Sequence, residues 1–138
     1  MRFCLLIGMV AIMAASVSNL GTATAADDDV KDIKGCMAFQ NNTALPELKD
    51  MIKKTEPNWD EIQKQTKAWV KVSESLGGFK PPRGDEKSWK DQTAKYVTNV
   101  ATVDKAAGKK DTDEVKKGLA AMGASCMGCH SKHRPPKK

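Results

Sequence analysis

The chain has 138 residues, 29% of them charged, and a formal net charge of +6 at neutral pH. That length suits one domain, and lysines spread along every segment instead of clustering give no sign of a nucleic-acid-binding surface. Only 5% of the residues are aromatic, so the polypeptide alone builds a thin core.

The chain opens with Arg2, a continuous apolar run from Phe3 to about Val17, and Ala23-Thr24-Ala25. A short positive start, an apolar stretch and a small-x-small site make a secretory signal peptide, too short and wrongly flanked for a membrane span. Residues 1–25 are read as the signal, which takes Cys4 with it, and 26–138 as the mature domain. Loss of Arg2 lowers the formal charge to +5. No second hydrophobic run follows, so stable membrane insertion is not expected. The location is periplasmic or otherwise exported.

From Asp27 to about Lys54, Val30, Ile33, Met37, Ala44, Leu48 and Met51 recur at helical intervals. Polar Gln40 and Asn41 interrupt the stripe, and Pro46 removes a backbone donor. A kink or break is expected between Asn41 and Pro46, with Pro46 in the first turn of the second piece. A second helix follows Pro57, with Asn58 as N-cap and Glu61 completing a capping-box-like pattern. Trp59, Ile62, Trp69, Val72 and Leu76 form its stripe, and Gly77-Gly78 ends it.

The segment Phe79 to Gly84, containing Pro81-Pro82, cannot continue a helix. Helix three starts near Asp85 or Ser88 and carries Trp89, Thr93, Tyr96, Val100, Val103 and Ala107 on one face, with Gly108 as its stop. Asp111 with Glu114 caps helix four, whose stripe is Val115, Leu119, Met122, Cys126 and Cys129. Pro135-Pro136 closes it. Four helices without a convincing strand predict an all-α, antiparallel four-helix bundle.

Helix four ends on Cys126-Met127-Gly128-Cys129-His130, a C-x-x-C-H. Two thiols three residues apart can add to the two vinyl groups of one haem. The histidine after the second thiol then falls under the iron as an axial ligand. On a helix, positions i, i+3 and i+4 share a side, which accounts for the spacing. One covalent haem c is therefore expected, on Cys126 and Cys129, with His130 as proximal iron ligand. Export agrees, since haem c is attached outside the cytoplasm. With two propionates the net charge falls to about +3, still suited to redox partner proteins of acidic character. A macrocycle of this size would also fill the thin core, and the apoprotein is expected to be loose or partly unfolded.

A secreted helical chain with C-x-x-C-H near its end resembles the class II cytochromes c, the cytochrome c′ and cytochrome c-556 group. The likeness is strongest from Gly84 to Arg134. It rests on Trp89, on Asp104-Lys105-Ala106-Ala107-Gly108-Lys109, and on Gly123-Ala124-Ser125 leading into the C-x-x-C-H. It implies a haem bundle with the attachment and ligation just given, and matches Arg134 to a basic residue beside the proximal face. Bundles of this family often pair through their first helices, so a homodimer is one candidate state. The departure is distal: where the family often has Arg-Gln followed by a residue over the haem, this chain has Ile33-Lys34-Gly35-Cys36-Met37-Ala38-Phe39.

Met37 either ligates the iron, giving a low-spin electron carrier of raised potential, or packs as a flexible core residue. In the second case the iron is five-coordinate and open to nitric oxide or carbon monoxide, as the cytochrome c′ subgroup implies. Phe39 is a candidate distal shield or an ordinary core residue. Met51, Met122 and Met127 are weaker candidates, and Met127 should face outward. His133 can touch a propionate or solvent but not the far side of the haem. Cys36 is a buried small hydrophobe, an interchain disulfide partner or a reactive or ligating thiol.

Two rival classes use the same residues. A zinc module would need Cys126, Cys129, His130 and His133 to converge, which eight consecutive helical residues do badly. A thiol–disulfide oxidoreductase would want the cysteine pair at a helix start on a sheet. No acid–base constellation, phosphate loop or nucleophile–base pair suggests an enzyme. A pyridine-haemochrome spectrum separates the haem protein from both rivals.

Overall fold

The computed structural model describes residues 30–136. The signal peptide expected from the sequence, with Cys4, lies outside these residues. The described chain is helical throughout its regular elements. In order these are α1 (Ile33–Phe39), a π-helical segment (Gln40–Ala44), α2 (Leu45–Met51), α3 (Trp59–Ser75), a 3-10 turn (Leu76–Gly78), α4 (Glu86–Gly108) and α5 (Thr112–His133).

Side-chain caps fix where the helices start. Asp32 accepts the Gly35 N–H at 2.7 Å, and the first helix accordingly begins at Ile33. Asn58, Asp85 and Asp111 each accept the N–H three residues on, at 3.3, 2.7 and 2.9 Å. Each satisfies a donor that the first turn leaves without an intrahelical partner.

Where a kink or break is expected between Asn41 and Pro46, the chain changes helix type without leaving the helix. The N–H of Leu45 reaches back to Gln40, and Pro46 enters the first turn of α2. Pro46 has no N–H, and its ring would collide with the carbonyl four residues back, that of Asn42. A wider π turn just before it relieves the collision while the chain stays helical from Ile33 to Met51. The extra residue also turns the helix about its axis. Cys36 and Phe39 are buried before the turn, and Ala44 and Leu48 after it. The expected stripe residues Val30, Ile33 and Met37 are only half-buried.

Helix three stops at Gly108 as expected, within one residue. Gly108 remains inside α4, and Lys110 takes the left-handed conformation at φ 57°. The Asp111 N–H bonds the Ala106 carbonyl at 3.1 Å and the Lys110 N–H bonds that of Ala107 at 3.0 Å, the paired closure of a Schellman motif.

α1, the π segment and α2 run on as the first rod of an antiparallel four-helix bundle, followed by α3, α4 and α5. α3 packs on α4 and α4 on α5, α1 lies on α3, and α2 touches both α3 and α5. Ile62, Trp69, Val72, Val100, Val103, Val115, Leu119 and Met122 fill the shared core. Trp69 is fully buried and its indole N–H donates to Tyr96 Oη at 2.9 Å. Thr66 donates to the Asp104 carboxylate at 2.6 Å, a second polar tie between α3 and α4. Where α4 and α5 cross, a Cβ on Gly118 would meet Val103 Cγ2 at 2.8 Å. No helix among the described residues is long and apolar enough to cross a membrane.

Candidate functional site

The first rod closes on α5 at one end only. Its later piece, α2, meets α5, while α1 rests on α3. At the end where α1 and α4 begin and α5 finishes, a cavity of about 850 Å³ opens. Ile33, Met37 and Gln40 border it from the first rod, Trp89 and Tyr96 from α4, and Cys126, Cys129 and His130 from α5. Its volume is that of a site for a sizeable ligand.

The chemistry of its walls follows from the helix that carries them. Cys126 and Cys129 are half-buried free thiols on the stripe that continues buried Leu119 and Met122. Cys126 donates to the Met122 carbonyl at 3.3 Å. Burial, with the neighbouring Cys126, pushes the Cys129 thiol above its ordinary value. The imidazole of His130 is held below its ordinary value by burial and then by the Arg134 guanidinium. It is thereby kept neutral, with a lone pair free to bind a metal. Arg134 also borders the cavity, as the exposed cap of α5 whose N–H bonds the His130 carbonyl.

Two buried polar atoms at the cavity have no partner, the indole Nε1 of Trp89 and Oε1 of Gln40. Gln40, only 3% exposed, stands at the start of the π segment, a helix type that recurs at functional sites. Burial holds the Tyr96 hydroxyl far above its ordinary value, so it stays a neutral phenol.

The structure thus brings Met37, Cys126, Cys129, His130 and Arg134 to one cavity. Phe39 is not there: it is buried in the core, in keeping with a position two residues past Met37 that points away from Met37's face. Met122 is also core, and Met127 is 69% exposed. Cys36 is fully buried, its sulfur 3.7 Å from the Val72 carbonyl and 3.6 Å from Ser75 Oγ. Burial raises that thiol as well. This placement fits the small buried hydrophobe and leaves no surface sulfur for an interchain disulfide.

His133, expected from the sequence to touch a propionate or solvent, is shut off from solvent. It is 2% exposed, bonded to the Arg83 carbonyl at 2.9 Å and Ser88 Oγ at 3.1 Å. Arg83 lies fifty residues earlier in a proline-rich loop and Ser88 forty-five residues earlier at the start of α4, and no local signal pairs them with His133.

A family model described as Cytochrome C' matches residues 28–134. The chain belongs to the cytochrome c′ family. Comparison with curated proteins and with solved structures found no match. Haem-binding c-type cytochromes are four-helix bundles in this family, and the described fold agrees. The cavity fits the haem c that the cytochrome c′ family implies. It offers apolar walls for a macrocycle, two thiols, a neutral imidazole, an unpartnered indole N–H and a guanidinium at its border. Among the described residues, no three His, Cys, Asp or Glu side chains gather so as to hold a bare metal ion.

Proposed function

We propose that this cytochrome c′ family member is an exported monohaem electron carrier, with haem c attached through Cys126 and Cys129, His130 as proximal ligand and Met37 as distal ligand. One observation carries the electron-transfer reading: Met37 and His130 border a single cavity from different helices, α1 and α5.

When bound, the haem supplies a one-electron iron couple. Cys126 and Cys129 would hold it covalently, each thiol adding across one vinyl group with sulfur bonding to one carbon and the thiol hydrogen passing to its neighbour. His130, kept neutral by its surroundings, offers its lone pair without first losing a proton. The Met37 thioether would be the second protein ligand, which would raise the potential and deny the iron to small gases. Lys34, Lys95 and Arg134 border the cavity and suit docking of an acidic redox protein close to the cofactor. Export follows from residues 1–25, since maturation of haem c takes place outside the cytoplasm. No enzymatic step is assigned.

The ferric spin state tests the distal ligand. The wild type is expected to be low-spin and Met37→Ala high-spin; an already high-spin wild type removes Met37 from the iron. That outcome would favour a second reading, a five-coordinate binder of nitric oxide or carbon monoxide. Buried Gln40, on the wall one helical turn past Met37 and with an unpartnered oxygen, is the observation on its side.

A further inference from the structure

We propose that Arg83 and His133 are positioning residues for His130. Together they clamp the last turn of α5 and so fix the direction in which the proximal imidazole points. The proposal rests on the haem reading above.

The last carbonyls of a helix have no intrahelical donor. In α5 two of them belong to Ser131 and Lys132, directly after His130. The Arg83 side chain takes both: Nη2 donates to the Ser131 carbonyl at 2.5 Å and Nε to that of Lys132 at 3.0 Å. Its charge also lies at the negative end of the helix dipole.

His133 answers in the other direction. Its Nδ1 is 2.9 Å from the carbonyl of Arg83 itself. A carbonyl can only accept, so Nδ1 carries the proton, and Nε2 is left to accept from the Ser88 hydroxyl at 3.1 Å. Side chain therefore holds main chain in both directions across fifty residues. Trp89 stands edge-on to the ring, centroids 5.3 Å apart at 74°. Gly84 has φ +79°, and a Cβ there would lie 2.9 Å from Nδ1, so the loop passes this point only as glycine.

Among the described residues no hydrogen bond fixes the His130 ring itself. Its direction is set by the backbone beneath it, and that backbone is what the clamp grips. Ligating histidines are ordinarily oriented by a bond to their second nitrogen; here the orientation comes through the helix end.

The test compares haem-loaded wild type with Arg83→Ala, Arg83→Lys and His133→Phe. Lys87→Ala is the control, because Lys87 pairs with Asp91 on the exposed face of α4. Mass first shows whether the haem is covalently attached. Two readouts then follow the proximal side: the hyperfine-shifted proton resonances of the ferric protein, which track the imidazole plane, and the reduction potential. Arg83→Ala and His133→Phe are expected to move the resonances and change the reduction equilibrium constant threefold or more, about 28 mV for one electron. Arg83→Lys, with a point charge in place of a fork, should fall between. The control should match wild type. Retained haem with unmoved resonances and potential in the Arg83 variants overturns the positioning role and leaves the haem reading standing. A wild type without haem overturns both. If His133→Phe fails to fold, the two variants at exposed Arg83 decide the matter.

Discussion

Lys110 is a non-glycine residue in the left-handed region, at φ 57°. That conformation costs an L-residue about 1–2 kcal/mol, and glycine gives back part of the relief through its freer unfolded chain. Lys110→Gly is therefore expected to stabilise the haem-loaded protein by about 0.5–1 kcal/mol, read as a higher thermal midpoint. The Trp69–Tyr96 pair works in the other direction. Trp69 is wholly buried and Tyr96 Oη is the acceptor of its N–H. Tyr96→Phe leaves that N–H dry and unpaired, at a cost of about 1–3 kcal/mol in urea unfolding with an unchanged denaturant slope. Because burial keeps the phenol neutral, the loss should be the same at neutral and mildly alkaline pH.

Helix starts depend on one side chain and one N–H three residues on, so Asn58 and Asp111 were legible in the sequence as caps, while Asp85 was legible only as one of two places, with Ser88, where helix three could start. Asp85 also titrates. Its carboxylate is held below its ordinary value chiefly by the Ser88 N–H, against a small opposing effect of burial, with His133 and Lys132 adding to the lowering. A depressed carboxylate stabilises the fold above its unfolded pKa, near 4, and loses that contribution as pH falls through the folded one. Asp85→Asn keeps a cap without the charge, so thermal melts between pH 2 and 6 should fall less steeply below about pH 4 than in wild type. Helix interiors and ends were less legible. A π turn differs from an α turn by one residue of phase, and Gln40, Asn41 and Pro46 read as a break until the carbonyl that Pro46 must avoid is considered. Gly108 marked the end of helix three, but the closure of Ala106 and Ala107 puts the left-handed conformation on Lys110, which no residue type announced.

At the scale of the molecule, the cavity decides what the apoprotein does. Kept dry, 850 Å³ at about 24 cal/mol per Å³ would cost on the order of 20 kcal/mol, more than the roughly 5–15 kcal/mol that holds a domain folded. Without haem the cleft must flood or close. A Cys126→Ala, Cys129→Ala double variant is expected to show a broad, early melting transition, and a cooperative transition at the wild-type temperature would contradict this. Much of the site was legible because one C-x-x-C-H on a helix fixes its own geometry, and Met37 was legible from the phase of α1. The Arg83–His133 clamp was not, since it joins a proline-rich loop to a helix end fifty residues away and exists only once α4 and α5 lie side by side. Their crossing has a mechanical corollary. Gly118 sits hard against Val103, and twelve helical residues, about 18 Å, separate it from His130. That contact is a fulcrum with the His130 imidazole on the long arm. A methyl wedged in at Gly118 tilts the arm, and a few degrees there grow to about 1 Å of travel at the tip.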